Sequence, residues 1–429
     1  MFLPLSPEGN CRRYKSTVKS CFCRIWLCCL LAFLVSWGLT ACAPTPMPKP
    51  PLPEAVLKRV PLSDYPRFQD DLGYTRLSRS ISMSLAYLHR LPQDREIDFG
   101  DDRYSVAHLI ASLEFFDEIV QEHPTSEMLN RIIADNYLVY RSIGRPVEKD
   151  VLFTGYYEPL LQGSSKPSAR FPVPVHSRPT DLVEIDLGAF APDLKGRNIV
   201  GRYTGRSVVP YPTRGGIRQQ AGFDRIAPPL VWLHDEIDLF ILQIQGSGRV
   251  EMENGEQFNI LYDSSNGQPY GSIGRLLIDQ GRIPADKMSM QAIRTYLLQH
   301  PGVAPSILDH NARYIFFRKA QDGPVGALGQ LLTPMRSLAV DRSLMPSAAL
   351  AFISVPLPEV DASGTIQQWA AYQGFALAQD AGSAIKGPGR IDVFMGHGLQ
   401  AETAASHLKN AGAIYFLVLK PGSVQKKPL

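Results

Sequence analysis

Cysteine is missing from nearly all of this chain. Its six cysteines (Cys11, Cys21, Cys23, Cys28, Cys29 and Cys42) all lie in the first 42 of 429 residues. A disulfide framework or a cysteine zinc site is therefore excluded for the main body. A charge excess is missing too. The net charge is +3 with 20% charged residues, so no concentrated basic face argues for nucleic acid as a partner. There is no Gly-x-Ser-x-Gly elbow and no His-Glu-x-x-His pair, and "GALGQLL" (326–332) lacks the Lys-Ser/Thr of a phosphate loop. His234 and His397 stand alone, as packed or solvated histidines do. No metal or organic cofactor is expected. What these absences leave open is carboxylate acid–base chemistry on a polar polymer.

The chain is long enough for a large core and two domains. Its 35 prolines and 34 glycines suit a strand-rich protein rather than a helical bundle. The N-terminus reads as an export signal. Arg12, Arg13, Lys15, Lys19 and Arg24 precede the uncharged apolar run "IWLCCLLAFLVSWGLTA" (25–41). That run ends in "LTAC", which resembles a bacterial lipobox with Cys42 as the first mature, lipidated residue. The other reading is an uncleaved signal anchor, since the run reaches the lower length limit for a span. Both readings put the body outside the cytoplasm. Residues 43–54 are proline-rich and suit an extended tether.

Three stretches between 78 and 143 carry helical spacing, the last of them running from Thr125 and Ser126 to Gly144. After 150 the texture changes to short apolar runs separated by Gly, Pro, Asp and Asn. These read as strands, "LVWLHDEIDLFILQIQGSGRV" among them. One more helix is expected at 289–301, and strands return from 311. The pattern predicts a mainly β protein with peripheral helices.

Two aspartates frame a glycine-rich bend in "AQDAGSAIKGPGRIDVFMG" (378–396). In "RIDVF", alternation sends Ile391 and Val393 to one face and Asp392 and Phe394 to the other. Aspartate is disfavoured in mid-strand, unless that face is solvated or opens into a groove. Either Asp380 caps the turn and Asp392 pairs with Lys386 or Arg390, or one of the two is a catalytic acid. "FTGYYEP" (153–159) and "LQIQGSGRV" (242–250) add aromatic, amide and hydroxyl groups. Tyr156 and Tyr157 could stack sugar rings, and Gln243, Gln245 and Ser247 could hydrogen-bond hydroxyl and acetamido groups. The bland readings are an aromatic pair in the core and a simple turn.

Taken together, "FTGYYEPLLQGS", "LFILQIQGSGRV", "NGQPYGSIGRLLID", "YIFFRKAQDGPVGALGQLLTPMRSLAVD" and "AQDAGSAIKGPGRIDVFMGHG" resemble the MltA family of lytic murein transglycosylases. The likeness spans roughly 75 to 420, with a C-terminal 3D region at about 311–420 whose three aspartates fall at Asp341, Asp380 and Asp392. It implies a double-psi β-barrel domain from 55–158 and 305–425, an inserted β-domain at 159–304, and a groove between them. It implies cleavage of the MurNAc-β-1,4-GlcNAc bond of peptidoglycan with a 1,6-anhydromuramic product. In that reading Asp392 is the catalytic acid and then base, and Asp380 supports it. Thr154, Tyr157, Gln245, Gly246, Ser247 and Asp341 bind the glycan strand. The resemblance also favours an outer-membrane lipoprotein facing the periplasm, anchored through Cys42, with a cell-wall synthesis complex as a further partner. A water-using glycoside hydrolase and a non-catalytic peptidoglycan-binding lipoprotein are the alternatives.

Overall fold

The computed structural model describes residues 55–422. The leader 1–42, its lipidation residue Cys42 and the tether 43–54 lie outside the described residues.

Six strands close into a ring. Lys409–Leu419 pairs antiparallel with Leu350–Val360, which pairs antiparallel with Ile366–Asp380. Ile366–Asp380 runs parallel to the short Ser337–Ala339, which lies antiparallel to Arg390–His397. Arg390–His397 runs parallel to Val151–Glu158, and that strand returns antiparallel to Lys409–Leu419. This mixed, closed ring is the expected double-psi barrel, and closure removes the exposed edges an open sheet would present. Alternation holds in Arg390–His397: Ile391 and Val393 are fully buried, while Asp392 between them is only partly so.

The helices Leu77–Leu88, Val106–Gln121 and Ser126–Asn136 share one apolar core with the barrel. The Ser105 and Thr125 hydroxyls accept from the His108 and Met128 N–H groups and start the second and third of these helices. The third helix stops at Asn136, short of the Gly144 expected from spacing. Tyr137–Ser142 continues as a strand beside Lys409–Leu419 and buries Tyr137 through Tyr140 in succession. That side-chain run has no amphipathic period, and tertiary pairing decides its state.

Two buried polar anchors tie this helical layer to the barrel. The Arg336 guanidinium donates to both oxygens of Asp70, at 2.6 and 2.8 Å, and to the carbonyls of Thr75 and Phe375. Gln379 donates to the Ser80 carbonyl and the Ser84 hydroxyl, and accepts from the hydroxyls of Ser80 and Ser337. Arg336 and Gln379 directly precede Ser337–Ala339 and Asp380, so these anchors fix the backbone that carries the acids.

A second sheet has the order Ile315–Ala320, Gln257–Ser265, Ser247–Met252, Leu160–Ser164, Pro229–Leu233, Val173–His176. It has its own core, which includes Leu161, Val175, Leu233, Val250, Ile260 and Phe316. Ile315–Ala320, expected with the barrel, is instead an edge strand here, paired with Gln257–Ser265. The stretch read as strands through 229–250 is divided. Pro229–Leu233 is a strand, Glu236–Gln245 is a helix, and a strand resumes at Ser247. Asp235 caps that helix by accepting from the Ile237 and Asp238 N–H groups, and Gly246 ends it at φ +81°.

Candidate active site

Ala339 is the pivot of the site. Its register partner on one side is Asp380 and on the other Asp392, and Asp392 is in turn opposite Thr154. Four adjacent strands thus carry Asp380, Ala339, Asp392 and Thr154 in one row, with strands spaced about 4.8 Å apart. The two acids face each other over a methyl group.

Their surroundings differ. Both oxygens of Asp380 are engaged: Oδ2 accepts from the Tyr156 hydroxyl at 2.8 Å, and Oδ1 from the Ala327 and Ala381 N–H groups, each at 2.8 Å. Asp392 accepts one bond, from the Thr154 hydroxyl to Oδ1 at 2.8 Å, and Oδ2 has no hydrogen-bond partner among the described residues. Burial raises the Asp392 carboxyl to about 6; the Thr154 hydroxyl and the Arg390 charge pull downward, and Asp380 adds a smaller upward push. Asp380 is raised as well, by burial, against its hydrogen bonds and the Arg342 charge. No ion pair joins Asp392 to Lys386 or Arg390 among the described residues, so the turn-stitching reading does not describe this acid. Asp392 can hold a proton near neutral pH and present it from a free oxygen.

Tyr156 lies beside these acids, although of the two tyrosines the family resemblance implies only Tyr157. Alternation from Thr154 puts Tyr156 on the same face, and its ring lies 5.2 Å from that of the buried Phe394. Tyr157 points the other way. It is 3% exposed in a separate apolar cluster, and burial, with Glu402 next in effect, raises its phenol. Its main chain still serves the site, because its N–H donates to Gln245 Oε1 at 3.1 Å. That bond docks the helix-to-strand corner Gln245, Gly246 and Ser247 onto the barrel strand. Beside it, the Arg249 Nε donates to buried Glu158 at 2.8 Å. Gly155 lies between Thr154 and Tyr156, and a Cβ there would meet the Ala405 Cα at 2.7 Å. Only glycine lets the Leu399–His407 helix pack this close.

Asp341 holds a loop. Its Oδ1 accepts from the Ser343 N–H and hydroxyl, and its Oδ2 from the Gly387 N–H at 2.9 Å. Burial pulls its carboxyl upward, but these bonds hold it below the ordinary range. Asp341 thus pins the glycine-rich bend that leads into Arg390–His397.

Thr154, Tyr156, Asp380, Arg390, Asp392, Gln245 and Ser247 are all partly exposed, so the acids' row is open to solvent. A cavity of about 350 Å³ lies elsewhere, lined by residues such as His176, Arg214 and Phe223 of the second sheet and its helices. Among the described residues, no group of three His, Cys, Asp or Glu side chains is placed to hold a metal ion.

Residues 152–318 match the family described as MltA specific insert domain, and residues 336–418 match the 3D domain. The membrane-bound lytic murein transglycosylase A of Vibrio cholerae is 30% identical over 287 residues, covering 66% of this chain and 69% of that protein. Its counterpart in Escherichia coli K12 is 30% identical over 277 residues, covering 64% and 67%. Among solved structures, the membrane-bound lytic murein transglycosylase from Agrobacterium tumefaciens has a TM-score of 0.69 at 29% identity, covering 85% of this chain and 97% of that one. E. coli MltA with bound chitohexaose has a TM-score of 0.65 at 22% identity, covering 86% and 96%, which is a likeness of fold.

Proposed function

The chain belongs to the membrane-bound lytic murein transglycosylase A family, whose members are lyases acting on peptidoglycan, and from that premise we propose how this one cuts its strand. It breaks the β-1,4 bond between N-acetylmuramic acid and N-acetylglucosamine and leaves a 1,6-anhydromuramic end. The observation that carries this reading is Asp392: raised to about 6 by burial, with one oxygen held by Thr154 and the other free toward the cleft.

The Thr154 hydroxyl occupies Oδ1, so the acid's proton resides on Oδ2. Asp392 gives that proton to the glycosidic oxygen as the C1–O bond breaks. The muramic C6 hydroxyl attacks C1 from within the same ring, and the Asp392 carboxylate takes its proton, which restores the acid. The attack is intramolecular, so orientation replaces a second, bimolecular step. One carboxyl group therefore acts twice.

A water-using glycosidase needs a second carboxylate free to activate water or attack C1. Asp380 is the acid next in line, and three donors already occupy it. Its role is to hold Tyr156 and to favour the neutral form of Asp392. Gln245, Gly246 and Ser247 line the opposite wall for the glycan strand. Asp341 acts through the bend it pins. Among the described residues no helix is long and apolar enough to cross a membrane. Anchoring through lipid on Cys42, at the outer membrane and facing the periplasm, is the arrangement we propose; assembly with cell-wall synthesis proteins belongs to the same reading.

The test is digestion of isolated sacculi by protein lacking residues 1–42, with product masses. Ends lighter by one water are expected from the natural sequence and none from Asp392→Asn. Hydrated ends would select the glycosidase instead. Uncut murein with both proteins would select a non-catalytic binding protein.

A further inference from the structure

Arg390 opens the strand whose third residue is Asp392, so alternation puts both side chains on one face, about 7 Å apart along the backbone. Its Nε is shut off from water and has no hydrogen-bond partner. None of the ion pairs among the described residues uses Arg390. The cation also opposes the task of its neighbour, because a positive charge beside Asp392 favours the ionised carboxylate. In the free protein Arg390 is thus a cation with no ion-pair partner among the described residues, and a substrate anion at its guanidinium would offset that charge.

Tyr270 lies on the segment that follows Gln257–Ser265. Its phenol is raised by burial, while Ser272 and the Arg390 charge act in the opposite direction. The guanidinium shares its strand face with the acid. A planar fork in that place fits an sp² oxygen pair, which it can hold with two parallel bonds. The acetamido carbonyl does not explain the choice of a cation, because it is neutral and present on every sugar of the strand. The lactyl group on O3 of the muramic residue is the one substituent that carries a carboxyl carbon.

We propose that Arg390 forms a subsite that reads the 3-O-lactyl group of the muramic residue whose bond is cut. This rests on the function proposed above. It makes Arg390 the residue that tells muramic acid from glucosamine next to the scissile bond. A lactyl carboxylate on peptide-free strands would also neutralise the cation and let Asp392 keep its proton.

The test is equilibrium binding by Asp392→Asn protein, with and without Arg390→Gln, to three probes: peptide-free glycan strands, peptide-bearing strands and chitohexaose, which has no lactyl group. Arg390→Gln is expected to weaken peptide-free strands by roughly 10- to 100-fold. Peptide-bearing strands, whose lactyl carbonyl is an uncharged amide, should weaken less, and chitohexaose should be unchanged. Equal weakening on all three probes would make Arg390 a structural residue, and no weakening on muramic strands would remove the subsite. Arg390→Lys keeps the charge without the fork and should recover only part of the loss. Should the glutamine protein fail to fold, the lysine protein carries the same three-probe comparison. Turnover of murein by Asp392→Asn would overturn the acid assignment, and the ratio between probes would still decide the subsite.

Discussion

Replacing Asp392 with asparagine should make the protein more stable while it abolishes cleavage. The carboxyl is raised from 3.8 to about 6 by burial, with Asp380 adding to the push. The folded state therefore binds this proton more tightly than the unfolded chain does. Below the unfolded value both states are protonated, and the site carries no penalty. As pH rises from about 4 to about 6, the unfolded chain releases the proton first and the native state loses stability relative to it. Above about 6 the full penalty is present. A shift of about two pH units corresponds to about 3 kcal/mol, and partial exposure of the side chain reduces this to about 1–3 kcal/mol. Asparagine is neutral and close in shape, and its Oδ1 can still accept the Thr154 hydroxyl bond of 2.8 Å. Thermal melts of the two proteins across pH 4 to 8 measure the difference. The variant should melt a few degrees higher at pH 7.5, and the gap should close toward pH 4. A gap of constant size at every pH, or a variant that melts lower at pH 7.5, would refute the reasoning, because neither follows from relief of a strained charge.

The remaining expectations concern the groups that face this acid. Cleavage rate should fall about tenfold per pH unit on the alkaline side of about 6. Thr154→Val, which removes a bond favouring the carboxylate, should move that limb upward and slow turnover, as a pH–rate series on sacculi would show. Tyr156→Phe deletes the donor to Asp380 Oδ2. It should cost about 1–3 kcal/mol in urea unfolding, with the Asp380 carboxyl pushed higher and activity reduced. Asp70→Asn leaves the buried Arg336 without its counter-charge and should cost about 3–5 kcal/mol. The fraction that stays folded should keep a wild-type pH–rate limb, because the anchor touches neither acid.

The parts of this site that could be read in advance are the local ones. Asp380 and Asp392 stand out because a mid-strand acid after a glycine-rich bend is a local anomaly, and the family resemblance gives it meaning. Tyr156 was equally local, since an even spacing from Thr154 puts it on the acid's face; the pairing of Thr154 with Tyr157 broke the period-two rule. The helix Glu236–Gln245 also left signals, with Asp235 as cap and Gly246 as stop. Its apolar run, seven residues of Ile, Leu, Phe and Gln, hid the period behind sheer hydrophobicity.

What no local pattern contains is the row of Asp380, Ala339, Asp392 and Thr154. It depends on a register between strands from four separate parts of the chain, and on a bulge between Leu338 and Ala339 that brings Asp380 opposite the alanine. A one-residue slip in any of these pairings would send an acid into the barrel interior. The buried Arg336 and Gln379 networks lie one residue before Ser337–Ala339 and one before Asp380. Their position suits them to holding this register, because each fixes a backbone whose slip would bury a charge. The specificity of the polar core and the placement of the acid pair are then a single requirement, met by residues that never touch a substrate.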